Sequence, residues 1–336
     1  MDHSQRLPNL LIPGVGKSGT SSLFWYLSQH PDICAADKKE INYFKTLRFG
    51  EAPVAPIEQY AAHFSHCLRE RYRLDASQVY FDGGEQVRSA IRKHFLDPKI
   101  LPILRDPVDR LFSSYQSSRN LGTLDPSVNF AEFFEECRRL RSSGEDLRRE
   151  NGRFRALRTS YYIDHARAWF DEFDDVRIVF FEDMVADPHA FLVDICEWLE
   201  IDVAPVDDVD FAHRNKTVQH RSRALFRVAN AANLRLDRGL RIGPRMKHAL
   251  RSVYWALNAA DRTEGLHPAD RARAAEYFAA SNAALRDELL QRGYRQLPSW
   301  LSEAGLSTQA SRASHTTAVR CGPITQHQHS QRTKES

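Results

Sequence analysis

Asn9-Leu10-Leu11-Ile12-Pro13-Gly14-Val15-Gly16-Lys17-Ser18-Gly19-Thr20-Ser21-Ser22 is the stretch around which the chain reads. Leu10 to Ile12 is a short apolar run, the pattern of a buried strand. Gly14, Gly16 and Gly19 interrupt regular structure and let backbone approach a ligand closely. Ser18 to Ser22 then open a helix that carries Leu23, Phe24, Tyr26 and Leu27. Strand, glycine turn and helix start form an anion cradle, because free N–H groups and the positive end of a helix dipole favour phosphate. Lys17 adds a charge, and Ser18, Thr20, Ser21 and Ser22 add hydroxyls.

The spacing is not that of a nucleoside-triphosphate loop. That loop needs a glycine five positions before its Gly-Lys pair, and the residue there is Leu11. Lys17 instead sits early in a tighter turn. A second motif lies downstream, Ile103-Leu104-Arg105-Asp106-Pro107-Val108-Asp109-Arg110-Leu111-Phe112-Ser113-Ser114-Tyr115. Arg105 ends an apolar strand, Pro107 takes a permitted first-turn position, and Ser113 lies about two turns into the helix. A guanidinium fork and a hydroxyl so placed hold a phosphate from two sides.

The two motifs together resemble those of sulfotransferases. The first resembles the family's 5′-phosphosulfate loop, Lys-x-Gly-Thr-(Ser/Thr). The second resembles its 3′-phosphate motif, Arg-(Asp/Asn)-Pro-x-x-Arg-x-x-Ser-x-(Tyr/Phe), matched at Arg105, Asp106, Pro107, Arg110, Ser113 and Tyr115. Lys39-Glu40-Ile41-Asn42-Tyr43-Phe44 is similar to the Lys-Glu-x-x-(Phe/Tyr)-Phe segment of Golgi-type and bacterial carbohydrate sulfotransferases. Phe181-Glu182-Asp183-Met184 with Asp187-Pro188 is similar to a later family segment. The likeness runs from about Leu7 to Trp300. One departure stands out: the Glu-Lys-(Thr/Ser)-Pro segment that follows the third strand in several members has no counterpart at Phe81-Asp82-Gly83-Gly84-Glu85, which offers an acid but no Lys.

Strands alternating with helices imply a parallel sheet covered on both faces. The expected fold is α/β, a single three-layer domain with a central parallel sheet flanked by helices; the resemblance makes it the P-loop-like sulfotransferase fold. Expected helices are Ser18–His30, Ile57–Leu68, Gln86–Phe95, Phe130–Leu140 and Phe154–Phe170, with one after Arg105-Asp106-Pro107 and one after Asp187-Pro188. Expected strands are Leu10–Ile12, Ile33–Ala35, Val79–Phe81, Ile100–Leu104 and Arg177–Phe181, with Pro102 marking an edge strand or a bulge. The domain is expected over 1–306. Residues 307–336, rich in Ser, Thr, Gln, His and Arg, read as a disordered tail.

The chain has 336 residues, 27% charged, with a net charge of +3. That balance does not suggest a nucleic-acid partner, and a basic pocket needs only a few placed cations. The five cysteines, Cys34, Cys67, Cys137, Cys196 and Cys321, are widely spaced without a Cys-x-x-Cys, so reduced thiols are expected. No signal peptide precedes the first strand, and no apolar run approaches the ~18 residues of a membrane span. The expectation is a cytoplasmic enzyme with no integral membrane segment.

The resemblance implies transfer of a sulfuryl group from 3′-phosphoadenosine 5′-phosphosulfate (PAPS) to a hydroxyl or amine, leaving 3′,5′-bisphosphoadenosine, without a metal. Lys17 would stabilise charge on the bridging oxygen. Ser18, Gly19, Thr20, Ser21 and Ser22 would hold the 5′-phosphate, and Arg105 and Ser113 the 3′-phosphate. Lys216, in a basic stretch with His213 and Arg214, would close over the nucleotide. Among His30, Glu40, Asp82 and Glu85, the base is assigned to Glu40; Asp82 and Glu85 flank a Gly-Gly turn and suit acceptor hydroxyls. The acceptor expected is a carbohydrate or glycolipid. Two alternatives stay open: a P-loop-type small-molecule kinase, for which Asp82 would hold Mg²⁺, and a non-catalytic nucleotide- or glycan-binding protein.

Overall fold

A computed structural model describes residues 7–53, 55–212, 219–220, 259–260 and 265–302. In chain order the elements are β1 (Leu10–Ile12), α1 (Thr20–Leu27), β2 (Ile33–Ala35), α2 (Ile57–Ala62), β3 (Tyr72–Ala76), α3 (Glu85–His94), β4 (Lys99–Ile100) and β5 (Ile103–Leu104). There follow α4 (Pro107–Asn120), α5 (Phe130–Ser143), α6 (Ala156–Thr159), α7 (Tyr162–Glu172), β6 (Val179–Phe180), α8 (Phe181–Ala186), α9 (Pro188–Leu199) and α10 (Pro268–Gln291). Gln219–His220 and Ala259–Ala260 pair as a small antiparallel ribbon.

The sheet is parallel, in the order β2-β3-β1-β4, and β5 continues beside β6. Leu10 to Ile12 align with Leu74 to Ala76, which makes β1 an interior strand. Its apolar residues alternate between faces. Leu11 joins a core with Phe81, Trp169 and Leu285, whereas Leu10 and Ile12 join one with Leu23, Leu192 and Ile195. A third cluster, between α4, α5 and α10, holds Leu111, Phe133, Phe134 and Phe278. The expected three-layer α/β architecture is the one found. Because chain neighbours leave β1 in opposite directions, its carboxyl end is the crevice where such sheets bind ligands.

Several sequence expectations need correction. The third strand is Tyr72–Ala76, and Val79–Phe81 is a turn whose Phe81 N–H donates to Pro13 O at 2.9 Å. The segment after the third strand is therefore Ser77-Gln78-Val79, which also lacks a Lys. Pro102 lies in an interior strand, not at an edge: Leu101 N and Ile103 N donate to Leu11 O and Gly14 O on one side, and Pro102 O accepts from Val179 N on the other. The missing proline donor costs one ladder bond and splits β4 from β5. The first helix is shorter than Ser18–His30, and Ile57–Leu68 narrows to Ile57–Ala62. Arg177–Phe181 contracts to two strand residues, because Phe181 already begins a helix.

The expected helix Phe154–Phe170 is broken into a 3-10 segment Arg149–Arg155, then α6 and α7. The break delivers Arg155, Thr159 and Ser160 to polar partners that a straight apolar face would not meet. Cys34 and Cys67 form a disulfide, against the expectation of reduced thiols; the sheet brings together cysteines that sequence spacing kept apart. Cys137 and Cys196 are free and buried. Among the described residues no helix is long and apolar enough to cross a membrane. Cys321 and the 307–336 segment lie outside the described residues.

Candidate active site

The β1–α1 turn is an anion cradle assembled largely from backbone. Gly19 precedes α1 at φ +89°, with no side chain capping the helix. The first-turn N–H groups of Thr20, Ser21 and Ser22 have no intrahelical acceptor. Ser18 Oγ is buried without a hydrogen-bond partner. Open N–H groups and an orphaned hydroxyl are the complement of a phosphate, so these residues fit the 5′-phosphate of the expected donor.

Two arginines of the second motif shape this cradle. Arg105 Nη1 donates to Lys17 O at 3.2 Å, and Arg110 Nε donates to Gly16 O at 2.9 Å. Occupying these carbonyls leaves the N–H side of the turn to face an anion. Arg110 is buried and also donates to Ala156 O and Ser160 Oγ, both at 2.7 Å, so it braces the turn against α6. Its matched place in the motif is thereby structural. Asp106 caps α4 by accepting from Val108 N at 2.8 Å and Asp109 N at 3.2 Å. Ser113 is on the buried side of α4, two turns beyond Arg105.

The later segment locks both motifs together. Glu182 Oε1 accepts from Asp106 N at 2.8 Å, and the Arg105 guanidinium lies 4.6 Å from the centre of the Phe181 ring. A Cβ on Gly19 would come within 2.5 Å of Met184 Cε and 2.8 Å of Phe181 Cδ2. Gly19 is required twice, by its left-handed backbone and by this packing.

Lys17 and Glu40 belong to one site. Burial lowers the Lys17 pKa, the Arg110 charge adds to that shift, and the Glu40 charge opposes it. Glu40 has φ +60°, its N–H donates to Ala76 O at 3.2 Å, and Lys39 Nζ lies 3.0 Å from its Oε1. β3 thus holds the Glu40 backbone beside β1. His30, the competing base, is buried: its ring nitrogens engage Asp32 N at 3.1 Å and Asp202 O at 2.7 Å. Glu85 begins α3. Lys216, His213 and Arg214 lie outside the described residues.

Asp82, expected beside the Gly-Gly turn as a group for acceptor hydroxyls, is buried and already engaged. Its Oδ2 accepts from Arg48 Nη2 at 2.9 Å, Arg155 Nε at 2.8 Å and Thr159 Oγ1 at 2.8 Å. Burial pushes its pKa up, but Arg48, Arg155 and His165 pull it further down, to well below the usual carboxylate range. Two arginines and Thr159 hold it as an anion, the opposite of the raised basicity that suits a general base. Sequence reading missed Arg48 and Arg155 altogether, since neither belongs to a motif and only the fold joins them. His165, on α7, is buried, its ring 3.1 Å from Arg158 O. A cavity of about 230 Å³ joins the two halves of the site, lined by Lys17, Gln78 and Ser114 as well as Arg48, Asp82 and Arg155.

The family model described as sulfotransferase domain matches residues 7–236. The membrane-associated sulfotransferase kil1 of Dictyostelium discoideum is 32% identical over 33% of this chain and 23% of its own length. Heparan sulfate glucosamine 3-O-sulfotransferase 5 of Mus musculus is 27% identical over 56% of this chain and 51% of its own length. The chain therefore spans about a quarter to a half of these relatives. A sulfotransferase crystal structure from Alicyclobacillus acidocaldarius superimposes with a TM-score of 0.52 and 29% identity, over 62% of this chain and 87% of the other.

Proposed function

Because this chain belongs to the sulfotransferase domain family, we propose that it moves the sulfuryl group of PAPS to a hydroxyl of a carbohydrate or glycolipid. The acceptor oxygen attacks sulfur in line. The bond from sulfur to the bridging oxygen breaks, its electron pair leaves with the 5′-phosphate, and 3′,5′-bisphosphoadenosine is released. Glu40 takes the acceptor proton. Lys17 meets the charge that grows on the bridging oxygen, an interaction stronger in the transition state than in the ground state. The α1 N-terminus, with Ser18 to Ser22, holds the 5′-phosphate; Arg105 and Ser113 hold the 3′-phosphate. Such catalysis rests on positioning and electrostatics.

The observation that carries this reading is the uncapped helix N-terminus, with its orphaned Ser18 hydroxyl, next to Lys17, which feels the charge of Glu40. A cation for the leaving group and a base for the nucleophile flank one anion cradle. The carbohydrate class is supported by the Lys39-Glu40 segment and by the likeness to the mouse heparan sulfate glucosamine 3-O-sulfotransferase. The kinase alternative has lost its metal ligand, since Asp82 is occupied by Arg48 and Arg155.

Two measurements test it. Bisphosphoadenosine should raise the melting temperature, and ATP with Mg²⁺ should not. Radiolabelled PAPS should then label the glycans and glycolipids in a panel that also holds phenols and sterols. Stabilisation by ATP with Mg²⁺ alone, or labelling confined to phenols and sterols, would overturn the donor or the acceptor assignment respectively.

A further inference from the structure

Among the described residues, Cys34, His66 and Cys67 are a group of three metal-ligating side chains whose ligand atoms all lie within 4.8 Å of one another. They take no part in lining the cavity at Lys17. Cys34 and Cys67 are joined as a disulfide, and His66 Nε2 lies 3.4 Å from Cys34 Sγ. A disulfide needs only its two cysteines and gains little from an imidazole against its sulfur, a weak acceptor. Two sulfurs and an imidazole are instead a donor set for zinc.

The cluster does not depend on the S–S bond for its assembly. Cys34 belongs to β2 and is buried, its register fixed opposite Arg73 of β3. His66 and Cys67 follow α2 in a turn where Cys67 N donates to Phe64 O at 3.1 Å. Phe64 is buried in the core with Phe44 and Tyr60, so packing anchors this turn. Two further contacts clamp the turn to the end of β2. Asp37 N donates to His63 O at 3.1 Å, and His63 Nδ1 and Asp37 Oδ1 lie 2.5 Å apart. Opening the disulfide therefore leaves both thiols and the imidazole within reach of one ion. Ligands on one tetrahedral zinc, bound at ~2.0–2.3 Å, stand roughly 3.3–3.8 Å apart, a spacing that side-chain rotation supplies here. His66 is exposed and Cys67 half-buried, so an ion enters from solvent and a water completes the tetrahedron.

We propose that Cys34, Cys67 and His66 bind one Zn²⁺ when the disulfide is reduced, so that the metal takes over the cross-link. A dithiol reductant supplies two electrons and two protons to the S–S bond and itself becomes a disulfide. Zn²⁺ then displaces the two thiol protons and is held by two thiolates. The imidazole binds through Nε2, which turns from Ala35 O, 3.1 Å away, and carries its proton on Nδ1. Disulfide and metal bridge close the same stretch, the one between Cys34 and Cys67 that carries Glu40. This site is separate from the sulfuryl-transfer reading and does not rest on it.

The test uses the full chain in a Cys321→Ser background, which leaves Cys137 and Cys196, both buried, as the other thiols. The chain is reduced with dithiothreitol, desalted under argon and titrated with Co²⁺ as the probe. One equivalent should bind with the strong thiolate-to-cobalt charge-transfer band, and Zn²⁺ should abolish that band. The oxidised chain should show no band. Zn²⁺ should raise the melting temperature of the reduced chain and leave that of the oxidised chain unchanged. His66→Ala keeps both cysteines and alters an exposed residue; its Zn²⁺ affinity should fall at least about 10-fold, the lower bound even for partners of metal ligands. A reduced parent that binds no Co²⁺, or binds it without the thiolate band, overturns the proposal. So does Co²⁺ binding that His66→Ala leaves unchanged or that survives Cys34→Ser. Loss of far-ultraviolet ellipticity on reduction also overturns it, because the cluster would then need the S–S bond.

Discussion

The two ends of the cavity are built by opposite means. The Lys17 end is made mostly of backbone: a glycine turn, a bare helix N-terminus, and two arginines that take up Gly16 O and Lys17 O. The Asp82 end is made of side chains: one carboxylate ties together Arg48, Arg155 and Thr159 from separate segments. A backbone cradle survives loss of any one side chain. An ion cluster does not, because removing its anion strands two buried charges. The first end should therefore respond to substitution in rate, the second in stability.

The sharpest separation is expected from Glu40→Gln. It should bind bisphosphoadenosine as the parent does and transfer sulfate at least about 100-fold more slowly, within the ~10²–10⁴ range for a lost general base. Near-parent turnover would move the base elsewhere. Asp82→Ala should reverse that profile, lowering unfolding free energy in urea by about 3–5 kcal/mol. A loss below about 1 kcal/mol would mean that the cluster behaves as an exposed pair and would break the comparison. Lys17→Ala should melt near the parent temperature and lose about 10²–10³ in turnover, the scale for one preorganised donor in the transition state. Unchanged turnover with weaker nucleotide binding would make Lys17 a ground-state anchor.

Arg105→Ala should weaken bisphosphoadenosine binding by about 1.5–3 kcal/mol. Adenosine 5′-phosphosulfate, without the 3′-phosphate, should bind the parent poorly; equal affinity for the two nucleotides would remove Arg105 from the 3′-phosphate.

The smallest effect concerns pH, and it sets two buried aspartates against each other. Burial raises the Asp75 pKa from 3.8 to about 6, against opposing hydrogen bonds from Tyr60 and Ser77 and the charge of Lys39. Its contribution to stability is full below its ordinary value and is lost as pH rises through about 6. Asp82 has a depressed pKa, so its contribution is present above the ordinary value and is lost only on further acidification. Between pH 4 and 6 stability should therefore fall with rising pH, by at most about 1.4 kcal/mol per unit from Asp75. Asp75→Asn should flatten that slope in urea titrations, and a slope unchanged by the substitution would assign it to another group.

Much of the Lys17 end was legible in the sequence. Leu10 to Ser22 and Ile103 to Tyr115 are strand–turn–helix units whose glycine, proline and cap signals act over a few residues. The parallel sheet and its three layers followed from alternating elements. Shorter pieces were misread. Tyr72–Ala76 carries Arg73 and Asp75 inside a strand, and neither looks apolar: Asp75 is buried because Tyr60 and Ser77 satisfy it. The break between α6 and α7 left no mark in an amphipathic pattern, because its cause is the pull of Asp82 and Arg110 on Arg155, Thr159 and Ser160.

By itself the sequence determined the strand–turn–helix units of the anion cradle and the family motifs, because glycine, proline and cap signals act over a few residues. Only the tertiary structure decided that Asp82 is tied to Arg48 and Arg155, and that Cys34 is joined to Cys67. Those contacts join residues 34, 33 and 73 positions apart. Ion pairing and disulfide formation have no sequence period, so only the folded chain brings these partners within reach.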